Sequence, residues 1–452
     1  MLSFPSKLFH FLFGTCWLLC SVNPEETPII AGHLNTKRRY EDVNLHLIQD
    51  ILAVNRSALP LASETCQEIH LTAIIRHGTR YPTTKDVRKM QRIYDQVKSS
   101  VPSEECWLRE IQTEWKMWYT EDMDGRLVQK GVEDNKHLAV RLSKWFPTLL
   151  TEKNLHAGLI KFITSSKHRC INSTLSLQAG LIELWDLKDR ELGYTVNDGL
   201  MRFFDKCPKF RQQVLNNQSA IAEVDKFKHG PEMRRVREKI AGLLGIPSHN
   251  ISYDMADAAF SLCAYELAIK GLNSPWCKLF DSSDAQVMEY AIDLQEYWKR
   301  SYGFDINSKS SCILFHDMFN RLSDAATKNL SGQPLTAVVT IQVGHADTLL
   351  PLLTLLGFFK DQEALTSANY FHHSQRNFRT SIFLPYAANF LIVLYKCADG
   401  NIRLQALLNE KPVNLPGLSG PHASMPLLQD VMDLYRELLQ TCDFEKECQL
   451  TS

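Results

Sequence analysis

Short runs of apolar and β-branched residues alternate along the chain with polar segments, and their length is typical of buried strands. Five such runs cover residues 69–75, 159–164, 335–343, 390–396 and 402–408. The last two are separated by Ala398-Asp399-Gly400-Asn401, a sequence that favours a tight turn. Residues 390–408 are therefore predicted to form an antiparallel hairpin.

Helical periodicity fills much of the remaining chain, because apolar residues recur on one face of several segments. The helices predicted in this way are 132–146, which stops at Pro147; 287–298, with Ser282 and Ser283 as caps; 349–356, with Pro351 near its start and Gly357 at its end; and 430–440. Residues from about 175 to about 310 are mostly helical in pattern, whereas the strands lie before and after them.

This order of elements predicts an α/β core, residues 22–174 and 311–452, that is interrupted by a helical insertion domain, residues 175–310. The 452 residues, 44% of them apolar, suit two domains or one large domain with an insertion. The formal net charge of −1 gives the chain no overall attraction for nucleic acid or for an anionic membrane. Any affinity for anions must come from a local cluster of charge.

The start of the chain predicts a secretory signal peptide, residues 1–21. Lys7 precedes an apolar run, residues 8–20, that is too short for a comfortable membrane span. A buried N-terminal helix is the alternative. There is no second long apolar segment, so we expect a soluble mature protein without a stable membrane span.

Two further features agree with export. Ten cysteines remain once Cys16 and Cys20 leave with the signal peptide, and an even number favours disulfides in an oxidising compartment. None has zinc-finger spacing, so we expect no metal site. Asn-X-Ser/Thr triplets predict N-glycosylation at Asn55, Asn172, Asn217, Asn250 and Asn329.

Candidate chemistry begins where the first predicted strand runs into Arg76-His77-Gly78-Thr79-Arg80-Tyr81-Pro82-Thr83. Arginine offers a planar, permanently charged fork that matches phosphate oxygens. A neutral imidazole between two arginines could attack phosphorus. Gly78 lets the backbone turn sharply and approach a ligand.

Two more loops have the same layout of strand, polar loop and helix. The second is Ser165-Ser166-Lys167-His168-Arg169, where Cys170 to Thr174 could cap a helix; the third is Gly344-His345-Ala346-Asp347. Basic side chains at a helix N-terminus form an anion site. Taken alone, the second loop could be a solvated basic turn, and Asp347 could be a simple charge partner of the helix dipole.

With these three motifs the chain resembles the histidine acid phosphatases, the branch of the histidine phosphatase superfamily that includes phytases, and in particular its multiple inositol polyphosphate phosphatase subfamily. The resemblance implies an α/β histidine phosphatase fold, with a central mixed sheet flanked by helices and an inserted helical domain. It implies hydrolysis of phosphate monoesters without a cofactor through a phosphorylated His77. Inositol hexakisphosphate, lower inositol phosphates and 2,3-bisphosphoglycerate are the substrates expected, and nucleic acid is not an expected partner.

By the same resemblance, Asp347 is the proton donor, and the substrate's phosphate is held by Arg76, Arg80, Thr83, Lys167, Arg169 and His345. Asp347 departs from the pattern, because this subfamily usually has His-Ala-Glu. The shorter acid leaves three functions open: an inositol polyphosphate phosphatase, a broad-specificity acid phosphatase, and a weakly active or non-catalytic glycoprotein that binds inositol phosphates.

The resemblance also implies the disulfides Cys66–Cys397, Cys263–Cys277 and Cys442–Cys448. It leaves Cys106, Cys170, Cys207 and Cys312 unassigned. The expected location is the secretory route, either outside the cell or in the endoplasmic reticulum lumen, with membrane association left open.

Overall fold

A mixed sheet forms the centre of the molecule. In this computed structural model, residues 26–55, 66–187 and 191–450 are described, so the predicted signal peptide lies outside the described residues. The strands are β1 (Cys66–Arg76), β2 (Ile160–Thr164), β3 (Thr195–Val196), β4 (Val339–Gly344), β5 (Asn389–Cys397), β6 (Ile402–Leu408) and β7 (Lys411–Val413). Their order across the sheet is β3–β2–β4–β1–β5–β6–β7.

Ten helices among the described residues are eight or more residues long. They are α1 (Thr84–Lys98), α2 (Cys106–Thr113), α3 (Gln129–Trp145), α4 (His168–Leu184), α5 (Ala222–His229), α6 (Pro231–Leu244), α7 (Tyr253–Lys270), α8 (Ser282–Arg300), α9 (Cys312–Leu330) and α10 (Ala346–Leu355). Shorter α-helices lie at Tyr40–Val43, His46–Gln49, Glu152–His156, Asp198–Met201, Phe203–Lys206, Pro208–Phe210, Asp305–Lys309, Thr380–Phe383, Leu428–Leu434, Arg436–Thr441 and Phe444–Cys448.

The register of the parallel strands sets the position of the polar loops. β1 and β2 both run parallel to β4, with Arg76 opposite Gly344 and Thr164 opposite Val343. All three strands therefore end at the same edge of the sheet. β5 turns the sheet antiparallel on the other side of β1, and β6 follows it through the predicted hairpin.

The sheet is buried on both faces, which explains its continuous apolar strands. In β1, Leu71, Ala73 and Ile75 pack into a cluster with α3 and α4, whereas Ile74 packs into a larger cluster with α7 and α8. Successive strand residues point to opposite faces, so one apolar run serves two cores. This two-sided burial confirms the predicted α/β class with a mixed sheet flanked by helices.

All five predicted strands are present, and several predicted boundaries were wrong. The strand predicted to begin at residue 335 begins at Val339, and α8 is capped by Asp281 in a reciprocal capping box rather than by Ser282 or Ser283. α4 begins at His168, before the predicted cap at 170–174, and the predicted final helix is interrupted at Tyr435. β3 and β7 are only two and three residues long, too short for periodicity to indicate.

The predicted helical insertion domain remains a prediction in its boundaries. Within 175–310 most of the described residues are helical, but β3 joins the sheet beside β2, and α4 spans residue 175. α7 packs against α1, and the larger cluster continues from α7 and α8 into the sheet without a break.

No described helix is long and apolar enough to cross a membrane.

Two predicted disulfides are confirmed and one was wrong. Cys66–Cys397 joins β1 to β5 at positions that are paired in register, and Cys263–Cys277 closes a short loop after α7. Cys442 and Cys448 do not pair with each other: the structure contains Cys312–Cys442 and Cys207–Cys448. Their closeness in sequence was misleading, because a helix, Phe444–Cys448, directs the two side chains to different neighbours.

Candidate active site

The three polar loops meet at the carboxyl edge of the sheet. The amide N–H of His77 donates to the carbonyl of Gly344 at 3.0 Å, and that of Ser165 donates to the carbonyl of Val343 at 3.2 Å. The next amide after His77, Gly78 N–H, donates to Ser173 Oγ in α4 at 3.0 Å. Hydrogen bonds from backbone amides thus hold all three loops together at this edge of the sheet.

His77 is buried in the centre of this arrangement with one nitrogen engaged. Its Nδ1 lies 2.9 Å from the carbonyl oxygen of Gly78. A carbonyl only accepts, so Nδ1 carries the proton and the lone pair of the ring is on Nε2. Burial, followed by the charges of Arg76 and Arg169, holds the pKa of His77 well below its usual range. The ring is therefore neutral at moderately acidic pH, as a nucleophile must be.

Arg76 is fixed beside His77 by groups from distant parts of the chain. Its Nη1 donates to the carbonyls of Thr36 at 2.6 Å and Leu384 at 2.8 Å, and the guanidinium stacks 4.6 Å from the ring centre of Tyr386. Burial lowers its pKa to about 10, so it remains charged. Its Nε is buried and has no hydrogen-bond partner among the described residues, which leaves a donor for an anion.

Arg80 and Arg169 converge from two different loops at Gly125. A methyl group at that glycine would lie 3.7 Å from Thr83 Cγ2, 3.8 Å from Arg169 Nη1 and 3.9 Å from Arg80 Cδ. Gly125 has a φ of +64°, a conformation that other residues adopt only with strain. Arg80 is oriented by Tyr265, whose hydroxyl accepts from its Nη1 at 3.2 Å.

His345, from the third polar loop, lies with its ring centre 5.7 Å from that of His77. Arg169 Nη2 lies 3.3 Å from Nδ1, and Ser165 Oγ lies 2.9 Å from Nε2. Arginine only donates, so Nδ1 accepts and Nε2 carries the proton. Burial and the nearby Arg169 lower the pKa of His345 to about 3. In this tautomer Nδ1 has no proton, so His345 could donate from Nδ1 to a phosphate oxygen only after taking up a proton there.

Asp347 lies in the first turn of α10 and is paired with Arg300, the last residue of α8. Arg300 Nε donates to Asp347 Oδ1, and Arg300 Nη1 donates to both carboxyl oxygens of Glu296 at 3.0 Å. Burial would raise the pKa of Asp347, but Arg300 and His345 together outweigh burial and lower it to about 2. The side chain is 36% exposed, so water can reach it.

Six of the predicted residues are thus brought together where the three loops meet: Arg76, His77, Arg80, Arg169, His345 and Asp347. The other two, Thr83 and Lys167, have a less direct place in this group. Thr83 caps α1 and its hydroxyl donates to Asp86 at 2.9 Å, so only its methyl group faces Arg80. Lys167 is exposed at the N-cap position of α4, on the rim of the site.

Of the predicted N-glycosylation sites, Asn55, Asn172, Asn217 and Asn250 are exposed, and Asn329 is half-buried.

Sequence reasoning missed several residues that shape this site. Arg300, Tyr265 and Tyr386 come from segments far along the chain, and no local motif marks them. Cys170 is a free, buried thiol that donates to the Gly344 carbonyl at 3.2 Å and lies 3.5 Å from His345 Nε2. Its place directly after Arg169, at the end of the second loop, was the one signal in the sequence.

Comparison with known sequences places most of this chain in one family. Residues 69–409 match the family described as the histidine phosphatase superfamily (branch 2). Two curated relatives are each 42% identical to the chain, and both are named Multiple inositol polyphosphate phosphatase 1. The match to the protein of Homo sapiens covers 95% of this chain and 92% of the relative, and the match to that of Gallus gallus covers 93% of each.

Solved structures show the same fold at low sequence identity. The phytase from D. castellii superposes with a TM-score of 0.72 at 17% identity, covering 85% of this chain and 82% of its own. A Bifidobacterium longum multiple inositol polyphosphate phosphatase, in complex with inositol hexasulfate, gives a TM-score of 0.69 at 14% identity, covering 88% and 96%. These similarities show that the folds are shared.

Proposed function

The chain belongs to branch 2 of the histidine phosphatase superfamily, and we propose that it is a phosphatase that hydrolyses inositol polyphosphates through a phosphorylated His77. The two relatives at 42% identity support this substrate class, because the similarity extends over nearly the whole of both chains. Inositol hexakisphosphate and its lower forms are the proposed substrates, with 2,3-bisphosphoglycerate as a further one.

The observation that carries the proposal is a neutral histidine with a free Nε2, surrounded by cationic groups. Arg76, Arg169 and Arg80 are all close enough to lower the pKa of His77. Phosphoryl transfer needs positioning and charge neutralisation more than covalent assistance. Three guanidinium groups supply that charge, and the imidazole supplies the nucleophile.

In the proposed mechanism, His77 Nε2 attacks phosphorus in line with the leaving oxygen. The N–P bond forms as the ester O–P bond breaks, and Asp347 gives a proton to the departing alkoxide. Water then attacks the phosphohistidine, and a new O–P bond forms as the N–P bond to His77 breaks. Asp347 accepts the proton of that water, and inorganic phosphate leaves. The arginines hold the equatorial oxygens throughout, and Arg169 exchanges its contact with His345 Nδ1 for a phosphate oxygen.

Trapping the intermediate tests the proposal directly. The protein is mixed with radiolabelled phosphate ester, quenched rapidly in alkali, which preserves phosphohistidine, and digested for peptide mapping. We expect label on the peptide that contains His77, and neither label nor turnover in His77→Ala. His156→Ala, a change at an exposed histidine distant from the site, is the matched control. Turnover without any labelled intermediate in the unaltered protein would contradict the mechanism.

The ion pair between Asp347 and Arg300 favours a second candidate, an inositol-phosphate-binding glycoprotein with weak or no catalysis. An ionised carboxylate held by a guanidinium is a poor proton donor. Calorimetric binding of inositol hexakisphosphate without phosphate release would support this candidate. A substrate panel that includes simple aryl phosphates separates both candidates from a broad-specificity acid phosphatase.

The compartment follows from the disulfides at a coarse level. Among the described residues, four disulfides join separate parts of the chain, and such bonds persist in oxidising compartments. The protein therefore suits the secretory route. We propose the endoplasmic reticulum lumen or the extracellular space as its location, with glycans on the predicted asparagines and the signal peptide removed. Endoglycosidase digestion followed by mass spectrometry tests each site.

A further inference from the structure

Arg300 links the helical part of the chain to the acid on which the proposed chemistry depends. It is the last residue of α8, and its guanidinium joins two carboxylates: Glu296 one turn earlier and Asp347 at the start of α10. Arg300 Nη2 makes no hydrogen bond within the described ranges, and the side chain is 24% exposed. The guanidinium therefore keeps a donor that is not used by either carboxylate.

The ion pair with Arg300 favours the ionised form of Asp347. Arg300 reaches it from α8, and the charge of Asp347 in turn acts on Arg76 of β1 and Arg169 of α4. Glu296 of α8, the carboxylate that shares Arg300, is itself neutralised by that pairing. In this arrangement the acid is ionised at every pH at which inositol phosphates are dianions, and it has no proton to give.

A second phosphate group on the substrate would change that balance. Lys299 directly precedes Arg300 in α8 and is half-buried, so a second cation lies at this end of the helix. Arg300, with its unused Nη2 donor beside Asp347, offers a position for a phosphate next to the three loops. A phosphate there competes with Asp347 for Arg300, and its negative charge disfavours a second anion on Asp347.

We propose that Arg300 is a positioning residue that keeps Asp347 ionised in the free protein and exchanges it for a neighbouring phosphate of a polyphosphorylated substrate. Asp347 then takes a proton from water and can deliver it to the leaving alkoxide. A substrate with a single phosphate has no second phosphate to displace Asp347 from Arg300. Asp347 therefore stays ionised and cannot protonate the leaving group of that substrate. This inference rests on the proposed function. It explains a preference for polyphosphates by the protonation of Asp347, in addition to any difference in binding affinity.

The pH dependence of the unaltered protein gives the first test, because kcat/KM reports ionisations of the free protein and kcat reports those of the complex. With inositol hexakisphosphate, the alkaline limb of kcat is expected at a higher pH than that of kcat/KM. With glycerol 2-phosphate, a single-phosphate ester whose alkoxide leaving group needs a proton, the two limbs are expected to coincide. Coincident limbs for both substrates would overturn the inference.

Arg300→Gln gives the second test, with the same two substrates compared side by side. We expect kcat for glycerol 2-phosphate to rise several-fold at mildly acidic pH and its alkaline limb to move to higher pH, since Asp347 loses its cation. KM for inositol hexakisphosphate should rise about tenfold with the loss of one charged hydrogen bond. The preference for the polyphosphate falls accordingly.

Controls separate this role from a structural one. Arg321→Gln removes an arginine of similar exposure whose ion pair, with Asp317, lies away from the site. It should leave kcat and KM unchanged for both substrates. Arg300→Lys keeps the charge without the fork and should fall between the parent and Arg300→Gln, which keeps the test available if the glutamine variant misfolds. Equal losses for both substrates, with no shift of either limb, would overturn the inference. Failure of the proposed function is distinguishable, because it would appear as absent phosphohistidine in the unaltered protein.

Discussion

At the scale of single residues, the site depends on which form each acid and base adopts. His77 is held neutral by burial and by the cations around it, and its Nδ1 is fixed by the Gly78 carbonyl. Asp347 is held ionised by Arg300. In the proposed mechanism, the nucleophile His77 is therefore ready for attack in the free protein, whereas the acid Asp347 is not. This difference decides the expected response to pH.

The first prediction at this scale concerns the pH profile. Since the pKa of Asp347 is lowered to about 2, its protonated fraction falls as pH rises, and kcat/KM should fall with it across the acidic range. The optimum therefore lies on the acid side. The measurement is kcat/KM for an alkyl phosphate, whose leaving alkoxide needs a proton, from acid to alkaline pH. A flat profile would argue against Asp347 as the donor.

Lengthening the acid is the second prediction at this scale. Asp347→Glu adds one methylene and restores the acid that this subfamily usually has at this position. If reach toward the leaving oxygen limits turnover, kcat should increase by about tenfold, less than the full contribution of a general acid. Steady-state kinetics with inositol hexakisphosphate measure it. A decrease in kcat with unchanged thermal stability would show that the shorter acid is already well placed.

At the scale of elements, close contact between helices and loops fixes the site. Gly131, in the first turn of α3, lies against the loop that follows His77: a methyl group there would meet the Thr79 carbonyl oxygen at 2.2 Å. Gly78 approaches the same turn from the other side, where its methyl group would meet the Gly131 carbonyl oxygen at 2.5 Å. Two glycines thus allow α3 to support the phosphate-binding loop directly.

Substitution at this contact should disturb both stability and activity. Gly131→Ala must displace backbone, so we expect a loss of about 2 kcal/mol or more in unfolding free energy, typical of overpacking, together with reduced kcat. Denaturant unfolding and kinetics measure the two effects. Gly242→Ala is the matched control, because this helical glycine has no atom within 4 Å of an added methyl group. It should be neutral or stabilising by up to about 1 kcal/mol.

At the scale of the whole molecule, disulfides connect the end of the chain to the helical part. Cys312–Cys442 and Cys207–Cys448 span 130 and 241 residues of sequence. Closing such long loops restricts the unfolded chain, so each bond contributes about 2–5 kcal/mol of stability. The last two helices, Arg436–Thr441 and Phe444–Cys448, are thus fixed covalently to the body of the molecule at Cys442 and Cys448.

Peptide mapping without reduction tests this connectivity. We expect linked peptides that contain Cys312 with Cys442 and Cys207 with Cys448, and a lowered melting temperature in the double variant Cys207→Ser and Cys448→Ser. A linked peptide that joins Cys442 directly to Cys448 would contradict the structure.

A further prediction at this scale concerns metals. The proposed chemistry uses arginines where other phosphatases use metal ions, so extended treatment with a chelator should leave turnover unchanged. Assays before and after dialysis against the chelator measure it. Loss of activity that is restored by adding a divalent cation would require a different mechanism.

The amino-acid sequence by itself determined the five longer strands, the class of fold and the three polar loops. Each of these depends on neighbouring residues: an apolar run long enough to be buried, or a motif such as Arg76 to Thr83 that is compact in sequence. The shared layout of strand, polar loop and helix agreed with a site at the strand ends of an α/β fold, whereas the parallel pairing that brings the loops to one edge came from the structure.

Only the tertiary structure decided which distant residues complete the site. Asp347 pairs with Arg300, 47 positions away, and Arg76 is held by the carbonyls of Thr36 and Leu384, which are 40 and 308 positions away. The partners of Cys442 and Cys448 are more distant than the two cysteines are from each other. Such contacts have no periodicity and no fixed spacing in the sequence. They arise from the packing of helices on the sheet, which sets the charge of the acid as well as its position.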